Sequence, residues 1–236
     1  MNYTWDWQVF LRDTGAGQIY LEWLMSAWGW TLAVASIGLI VALVIGSLAG
    51  ILRTVPGVWL STLGTAWTEL FRNIPLLVQV FLWYYVVPAL IPPIGALPSF
   101  LLVAIALGLY TSARISEQIK AGILSLPGGQ RHAGLAMGFT QIQTYRYVLL
   151  PVAFRIVIPP LTSESMTIVK NSSVAFVAGV AELTMFAMQV QEETSQGIEV
   201  YLVVTSLYFV SAYAINRTML LVENRMRIPG TVGAGQ

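Results

Sequence analysis

From Trp23 to Leu52 the chain carries no charged side chain, and Arg53 ends the run, followed by a Pro56-Gly57 turn signal. About 20 mostly apolar residues suffice to cross a bilayer. In hydrocarbon every backbone N–H and C=O must find a partner inside the protein, so a segment of this kind has to be helical. One stretch therefore commits the chain to a membrane and to helices.

A second uncharged stretch, Asn73 to Ala113, is too long for one helix and contains Pro88 and the Pro92-Pro93 pair. It predicts a helix up to about Leu90, a short loop through Pro98 and another helix from Ser99. A fourth span is expected from about Val148 to Ala181 despite Arg155, Glu164 and Lys170, with tandem Pro159-Pro160 kinking or breaking it. A fifth runs from about Val200 to Val222, closed by Glu223, Arg225 and Arg227, with Arg217 placed to snorkel. The expected spans are residues 23–52, 62–90, 99–120, 148–181 and 200–222, with a loop over 121–147. Charged residues make up 10% of the chain, against roughly a quarter in soluble domains. The 236 residues hold about five spans, so they read as one all-α membrane domain with no sizeable soluble part.

Juxtamembrane Lys and Arg mark the cytoplasmic side. Five spans put Arg53, the Arg114 to Arg146 loop and Arg225/Arg227 on one side. They put the N-terminal segment, with its lone Arg12, on the other, together with the Glu182 to Glu199 loop, which has no Lys or Arg. The predicted orientation is N-terminus outside, C-terminus cytoplasmic. The N-terminal segment lacks the basic region and cleavage site of a signal peptide and is expected to be retained.

Several functions are disfavoured. No cysteine and a single histidine leave no thiolate or multi-histidine metal centre, and no cofactor is expected. No basic, aromatic-interleaved stripe speaks for nucleic acid. No G-x-x-x-x-G-K-[ST] phosphate loop occurs, so any ATP chemistry must come from another subunit. Five spans are few for a transporter built of paired repeats. Trp28, Trp30, Trp83, Tyr84, Tyr85, Tyr201 and Tyr208 suit interfacial belts or helix packing, and Gly46 with Gly50 suits close helix packing.

The loop between the third and fourth spans is the most specific segment. Leu126-Pro127-Gly128-Gly129 is a break, Gln130 to Met137 a short helix, and Gly138 a candidate left-handed cap. Ala133, Leu135, Ala136 and Met137 offer a compact apolar surface, with Arg131 and His132 at its rim. An amphipathic helix lying on the membrane is the plainer alternative.

The run H-A-G-x-x-x-G from His132 to Gly138, followed by V-L-L-P from Val148 to Pro151, resembles the E-A-A-x-x-x-G…L-P loop of ABC importer permeases. That loop is where such permeases rest on their ATPases. G-Q-R-H-A-G-L-A-M-G followed by Q-T-Y-R-Y-V-L-L-P-x-A-x-R resembles the polar-amino-acid branch, and within it the glutamate/aspartate permeases, with a match through most of the chain. His132 stands where the family usually has an acidic residue. E-L-F-R-N-I-P-L-L-V-Q from Glu69 to Gln79 and Lys170-Asn171-Ser172-Ser173 resemble further family elements.

The resemblance implies the small ABC import permease fold in a bacterial inner membrane. Implied partners are a cytoplasmic ATPase dimer docking on Gln130, Arg131, His132, Ala133, Gly134, Leu135, Ala136, Met137 and Gly138, a second permease subunit, like or related, and a periplasmic amino-acid-binding protein. The implied cargo is a polar amino acid, glutamate or aspartate favoured. Basic or neutral amino acids on the same fold are the alternative cargo, and an integral-membrane enzyme the rival from another class.

Charges inside spans usually face a cavity or a partner. Glu69 and Arg72 can pair on one helical face. Thr111, Arg114 and Gln118 share a face, and related permeases generally carry an aromatic or neutral residue at the place of Arg114. A guanidinium grips a carboxylate through parallel hydrogen bonds, so Arg114 is a candidate cargo ligand; alternatively it anchors the helix end or pairs with Glu117. Glu164 and Asn171 lie on one face of the fourth span, with Ser163, Thr167 and Lys170 on a neighbouring strip. Glu192, Glu193 and Glu199 are candidate contacts for a binding protein, or a solvated acidic loop.

Overall fold

The computed structural model describes residues 3–226, so Arg227, counted above with the C-terminal positive cluster, lies outside the described residues. A 3-10 turn at Trp7–Leu11 precedes α1 (Tyr20–Leu52), α2 (Val58–Asn73) and α3 (Leu76–Leu90). There follow α4 (Ser99–Leu124), α5 (Gly128–Ala136), α6 (Gln141–Ala178), α7 (Leu183–Thr194) and α8 (Gly197–Met226). Helices α1, α4, α6 and α8 are each long and apolar enough to cross a membrane. With α2 and α3 counted as one bent span, the described residues supply up to five.

Three local expectations change. The second span is not one helix to Leu90: α2 and α3 are bent by 102°. Ile74 between them is extended, with φ −99° and ψ 128°, because the ring of Pro75 excludes the residue before it from the helical region. Pro159 and Pro160 do not break α6; regular helix runs from Leu150 to Asn171 through both. Proline costs a helix its N–H donors, yet its fixed φ is helical, and packed membrane helices tolerate it. The acidic loop after residue 182 is largely helix α7.

The chain forms two compact units, and each of the four long helices contributes to both. The first comprises the chain to Ile40, Pro75–Gly108 and Thr167–Tyr213. Its core joins Val9, Phe10, Tyr20 and Leu24 to Phe186, Val190 and Val204. The fully buried Glu182 caps α7, its carboxylate accepting from the N–H groups of Thr184 and Met185 and, at 2.7 Å, from Tyr208 Oη. Glu199, also fully buried, accepts from the Tyr3 hydroxyl and from the Asp6 N–H at 2.7 Å, and Tyr20 Oη donates to Glu193 at 2.6 Å. Glu199 and Glu193 thus tie down the N-terminal segment and the start of α1. Glu199 is therefore not a solvated acid open to a partner.

The second unit comprises Val41–Ile74, Leu109–Met166 and the chain from Ala214. Its core is Ala42, Ile115, Ile119, Ile123, Tyr145, Leu149 and Val157. Here α1 and α4 meet backbone to backbone: a Cβ on Gly46 would lie 2.7 Å from the Ser112 carbonyl, and one on Gly50 2.7 Å from Ile119 Cβ. Between helices in lipid, close van der Waals approach replaces the hydrophobic drive available in water, and small residues permit it.

Candidate functional site

In the second unit, α4 and α6 place a cation against a carboxylate. Arg114 Nε donates to both oxygens of Glu164, at 3.1 and 2.9 Å, and Gln118 Nε2 donates to Oε1 at 3.0 Å. Arg114 and Gln118 are one helical turn apart, so both reach the same acid. The Glu164 side chain is 5% exposed and that of Arg114 is 47% exposed. Burying a carboxylate requires such donors; without them desolvation would neutralise it. Arg114 holds Glu164 through Nε, and its guanidinium also interacts with the Tyr110 side chain while remaining half-exposed. The Gln118 carbonyl oxygen is buried and, among the described residues, has no donor. A zwitterion could use such a pairing: a donor fork for its carboxylate, an acceptor for its ammonium group.

The alternative partner, Glu117, is engaged elsewhere. Its Oε1 accepts from Arg53 Nη2 at 2.9 Å and from Arg72 Nη1 at 3.2 Å. Arg72 Nη2 also meets Glu69 at 2.7 Å, so the pair expected on α2 forms and is part of a larger network joining α1, α2 and α4. Arg53 read in the sequence as a positive-inside marker. It is buried, donating to Ser116 Oγ at 3.3 Å and Thr68 Oγ1 at 3.4 Å. Nothing in its sequence neighbourhood signals this, because its partners lie 15 to 64 residues away.

The other candidates are distributed. Thr111 is buried at 2% exposure. Thr167, Lys170 and Asn171 belong to the first unit, where Lys170 is exposed and the other two half-buried. Among the described residues no three His, Cys, Asp or Glu side chains gather as a metal site.

Helix α5 begins after Pro127, two residues earlier than expected, and ends in a Schellman cap. Gly138 has φ +86°; its N–H bonds to the Leu135 carbonyl at 3.0 Å and that of Phe139 to the Gly134 carbonyl at 3.1 Å. Gly134 is the buried face, where a Cβ would lie 3.0 Å from Thr144 Cγ2. His132, Ala133, Leu135, Ala136 and Met137 are exposed, and Gln130 and Arg131 are half-buried. Thr140 and Gln143 form a reciprocal capping box at the start of α6. That signal was legible as T-x-x-Q and satisfies two otherwise unpaired N–H donors at the start of α6.

Residues 42–228 match the family described as the binding-protein-dependent transport system inner membrane component. The chain belongs to this family. The permease is 43% identical to the glutamate/aspartate import permease protein of Escherichia coli K12, covering 99% of each chain. It is 32% identical to the glutamine transport system permease protein of the same strain, covering 84% of this chain and 90% of that one. Among solved structures it is similar to an amino acid ABC transporter crystallised with histidines, at a TM-score of 0.76 and 28% identity over 87% of this chain and 95% of that one. A methionine ABC transporter in an inward-facing conformation, at 22% identity and a TM-score of 0.76, shares the fold. The permease is thus an all-helical, multi-pass membrane transport subunit with the ABC importer permease fold.

Proposed function

We propose that the permease imports acidic amino acids, glutamate or aspartate, with Arg114 reading the cargo carboxylate. The half-exposed guanidinium held by buried Glu164 carries this reading. Anchored through Nε, the side chain loses little rotamer freedom when a ligand takes its outer edge. The identity to a glutamate/aspartate permease along the whole chain supports the same cargo. Thr111, Glu164, Thr167, Lys170 and Asn171 are the remaining proposed contacts or supports of the pathway.

Helix α5 docks on a cytoplasmic ATPase dimer, its exposed Leu135 and Met137 entering the ATPase surface with Arg131 and His132 beside them. ATP hydrolysis belongs to that partner. A second permease, identical or related, completes the pathway, and a periplasmic amino-acid-binding protein delivers the cargo. The permease sits in the bacterial inner membrane with its N-terminus outside and its C-terminus cytoplasmic; its 236 residues act as a single permease domain. Closure of the ATPases shifts the population between outward and inward access through rigid-body movement of α5.

One observation favours a second cargo. Glu164 is an acid already holding a cation, so a basic amino acid could displace Arg114 from it. Uptake into proteoliposomes carrying the permease, its ATPase, partner permease and binding protein decides between them. Arg114→Ala should lower glutamate uptake at least about ten-fold and shift selectivity away from acidic cargo; unchanged glutamate uptake and unchanged selectivity would remove the carboxylate reading.

A further inference from the structure

A cleft of about 480 Å³ opens in the second unit where α1 ends and α6 begins. Ile51, Val55 and Leu60 form one wall, and Ile142 and Tyr145 the other, with Arg146 at the rim. Its floor is fixed: Tyr145 Oη donates to the Thr54 carbonyl at 2.6 Å, tying the start of α6 to the end of α1. The residues carrying the rim, Tyr145–Leu149, form a π-helical turn, a local widening that recurs at functional positions in helices. Ile142 is 80% exposed beside the cleft.

Arg146 is exposed and, among the described residues, has no carboxylate within ion-pair distance; the described ion pairs use Arg12, Arg53, Arg72 and Arg114. Its guanidinium lies 5.7 Å from the ring centre of Tyr147. Gln141, also lining the cleft, accepts from Arg131 at 3.4 Å, which brings a second cation toward the same rim. Ile51 ends one candidate span and Ile142 and Tyr145 begin another, while Val55 lies on the connection after α1 and Leu60 near the start of α2; the ends of spans are where acyl chains give way to headgroups. Apolar walls below an unneutralised cation complement an acyl chain below a phosphate.

We infer that this cleft is a binding site for an anionic phospholipid, with one acyl chain against Ile51, Val55, Leu60 and Ile142 and the phosphate on Arg146. The lipid would brace the base of α6, from which the α5 segment is held, so lipid charge would tune the permease from outside its transport pathway. This site does not depend on the identity of the cargo.

The test is native mass spectrometry of the full-length chain in detergent with phosphatidylglycerol and phosphatidylcholine of matched acyl chains. Phosphatidylglycerol should be retained about five-fold more than phosphatidylcholine, the effect of one cation near a lipid surface. Arg146→Gln should erase that preference while the chain keeps its helical circular dichroism and elution volume. Leu60→Trp, which fills the cleft and leaves the cation, should reduce retention of both lipids. Equal retention of the two lipids, or a preference that survives Arg146→Gln, would overturn the proposal. So would displacement by millimolar inorganic phosphate, which would reveal an anion site without an acyl chain. Displacement of the lipid by the ATPase subunit would make the cleft a protein interface instead.

Discussion

Arg114 and Glu164 meet through one nitrogen and two oxygens, with the acid buried and the base half in the open. Removing either member therefore has different consequences. Arg114→Ala leaves Gln118 as the remaining side-chain donor to a buried carboxylate, while Glu164→Gln leaves an accessible cation with a neutral support. We expect Arg114→Ala to lower glutamate uptake at least about ten-fold, the loss of one charge-assisted hydrogen bond. Arg114→Lys should recover part of it, since charge remains and the planar fork does not. Glu164→Gln should weaken glutamate uptake less than Arg114→Ala. Uptake at several glutamate concentrations measures all three, and the opposite ranking would count against Arg114 as the cargo ligand.

The docking surface of α5 separates from its fold. Met137 is 74% exposed, so Met137→Asp should change stability by no more than about 0.5 kcal/mol. It should nonetheless abolish transport-coupled ATP hydrolysis in the assembled complex. Gly138→Ala acts oppositely: at φ +86° the new side chain strains the cap by roughly 1–2 kcal/mol and loosens the angle of the helix. ATPase assays paired with thermal unfolding distinguish the two; full coupling in Met137→Asp would exclude this face from the ATPase contact.

The ion network predicts an asymmetry between centre and rim. The Arg53 side chain is 4% exposed, so Glu117→Gln leaves a buried guanidinium without its carboxylate, at roughly 3–5 kcal/mol. Arg72→Ala removes an exposed partner and should cost under about 1 kcal/mol. Thermal unfolding of the two variants in one detergent should show the first transition well below the second.

Gly46→Ala and Gly50→Ala each place a methyl group where backbone or Cβ already stands at 2.7 Å. Overpacking of this kind costs roughly 1–3 kcal/mol. Gly29→Ala on the same helix meets nothing within 4 Å and serves as the control. Unfolding in denaturing detergent should rank the control as the more stable.

Glu182, outside the membrane spans, has its pKa raised chiefly by burial, against the opposing hydrogen bonds from Thr184, Tyr208 and Met185. The folded state therefore prefers the protonated acid. Its contribution to stability is present below the ordinary value of 4.5 and is lost as pH rises toward the folded pKa. Glu182→Gln keeps an oxygen to cap α7 and removes the ionisation, so its stability should fall less than that of the wild type across this window. Parallel pH-dependent slopes in unfolding would show that Glu182 does not titrate there.

Much of the architecture was readable because hydrocarbon imposes a single rule on the backbone, and uncharged length registers it directly. The α5 surface was readable as well: a break, a short apolar run and a glycine are local signals. Pro75 was present in the sequence, but proline alone does not say whether a helix is interrupted, and Pro159-Pro160 lie within continuous helix. Glu199 misled for a different reason, although Glu192 and Glu193 in the same acidic segment are exposed. Charge composition reads as solvation unless the donors are known, and the donors to Glu199 come from Tyr3 and Asp6 at the far end of the chain.

By itself the sequence determined that this chain crosses a membrane as helices, belongs with importer permeases and carries no phosphate loop of its own. Those properties depend on runs, spacings and residue types along one dimension. Tertiary structure alone decided that Arg114 pairs with Glu164 across 50 residues, that Glu117 serves Arg53 and Arg72, and that Gly46 and Gly50 bring α1 against α4. Partner choice among buried charges follows from which helices touch, because desolvation makes each charge depend on its nearest neighbours, and sequence distance does not encode contact.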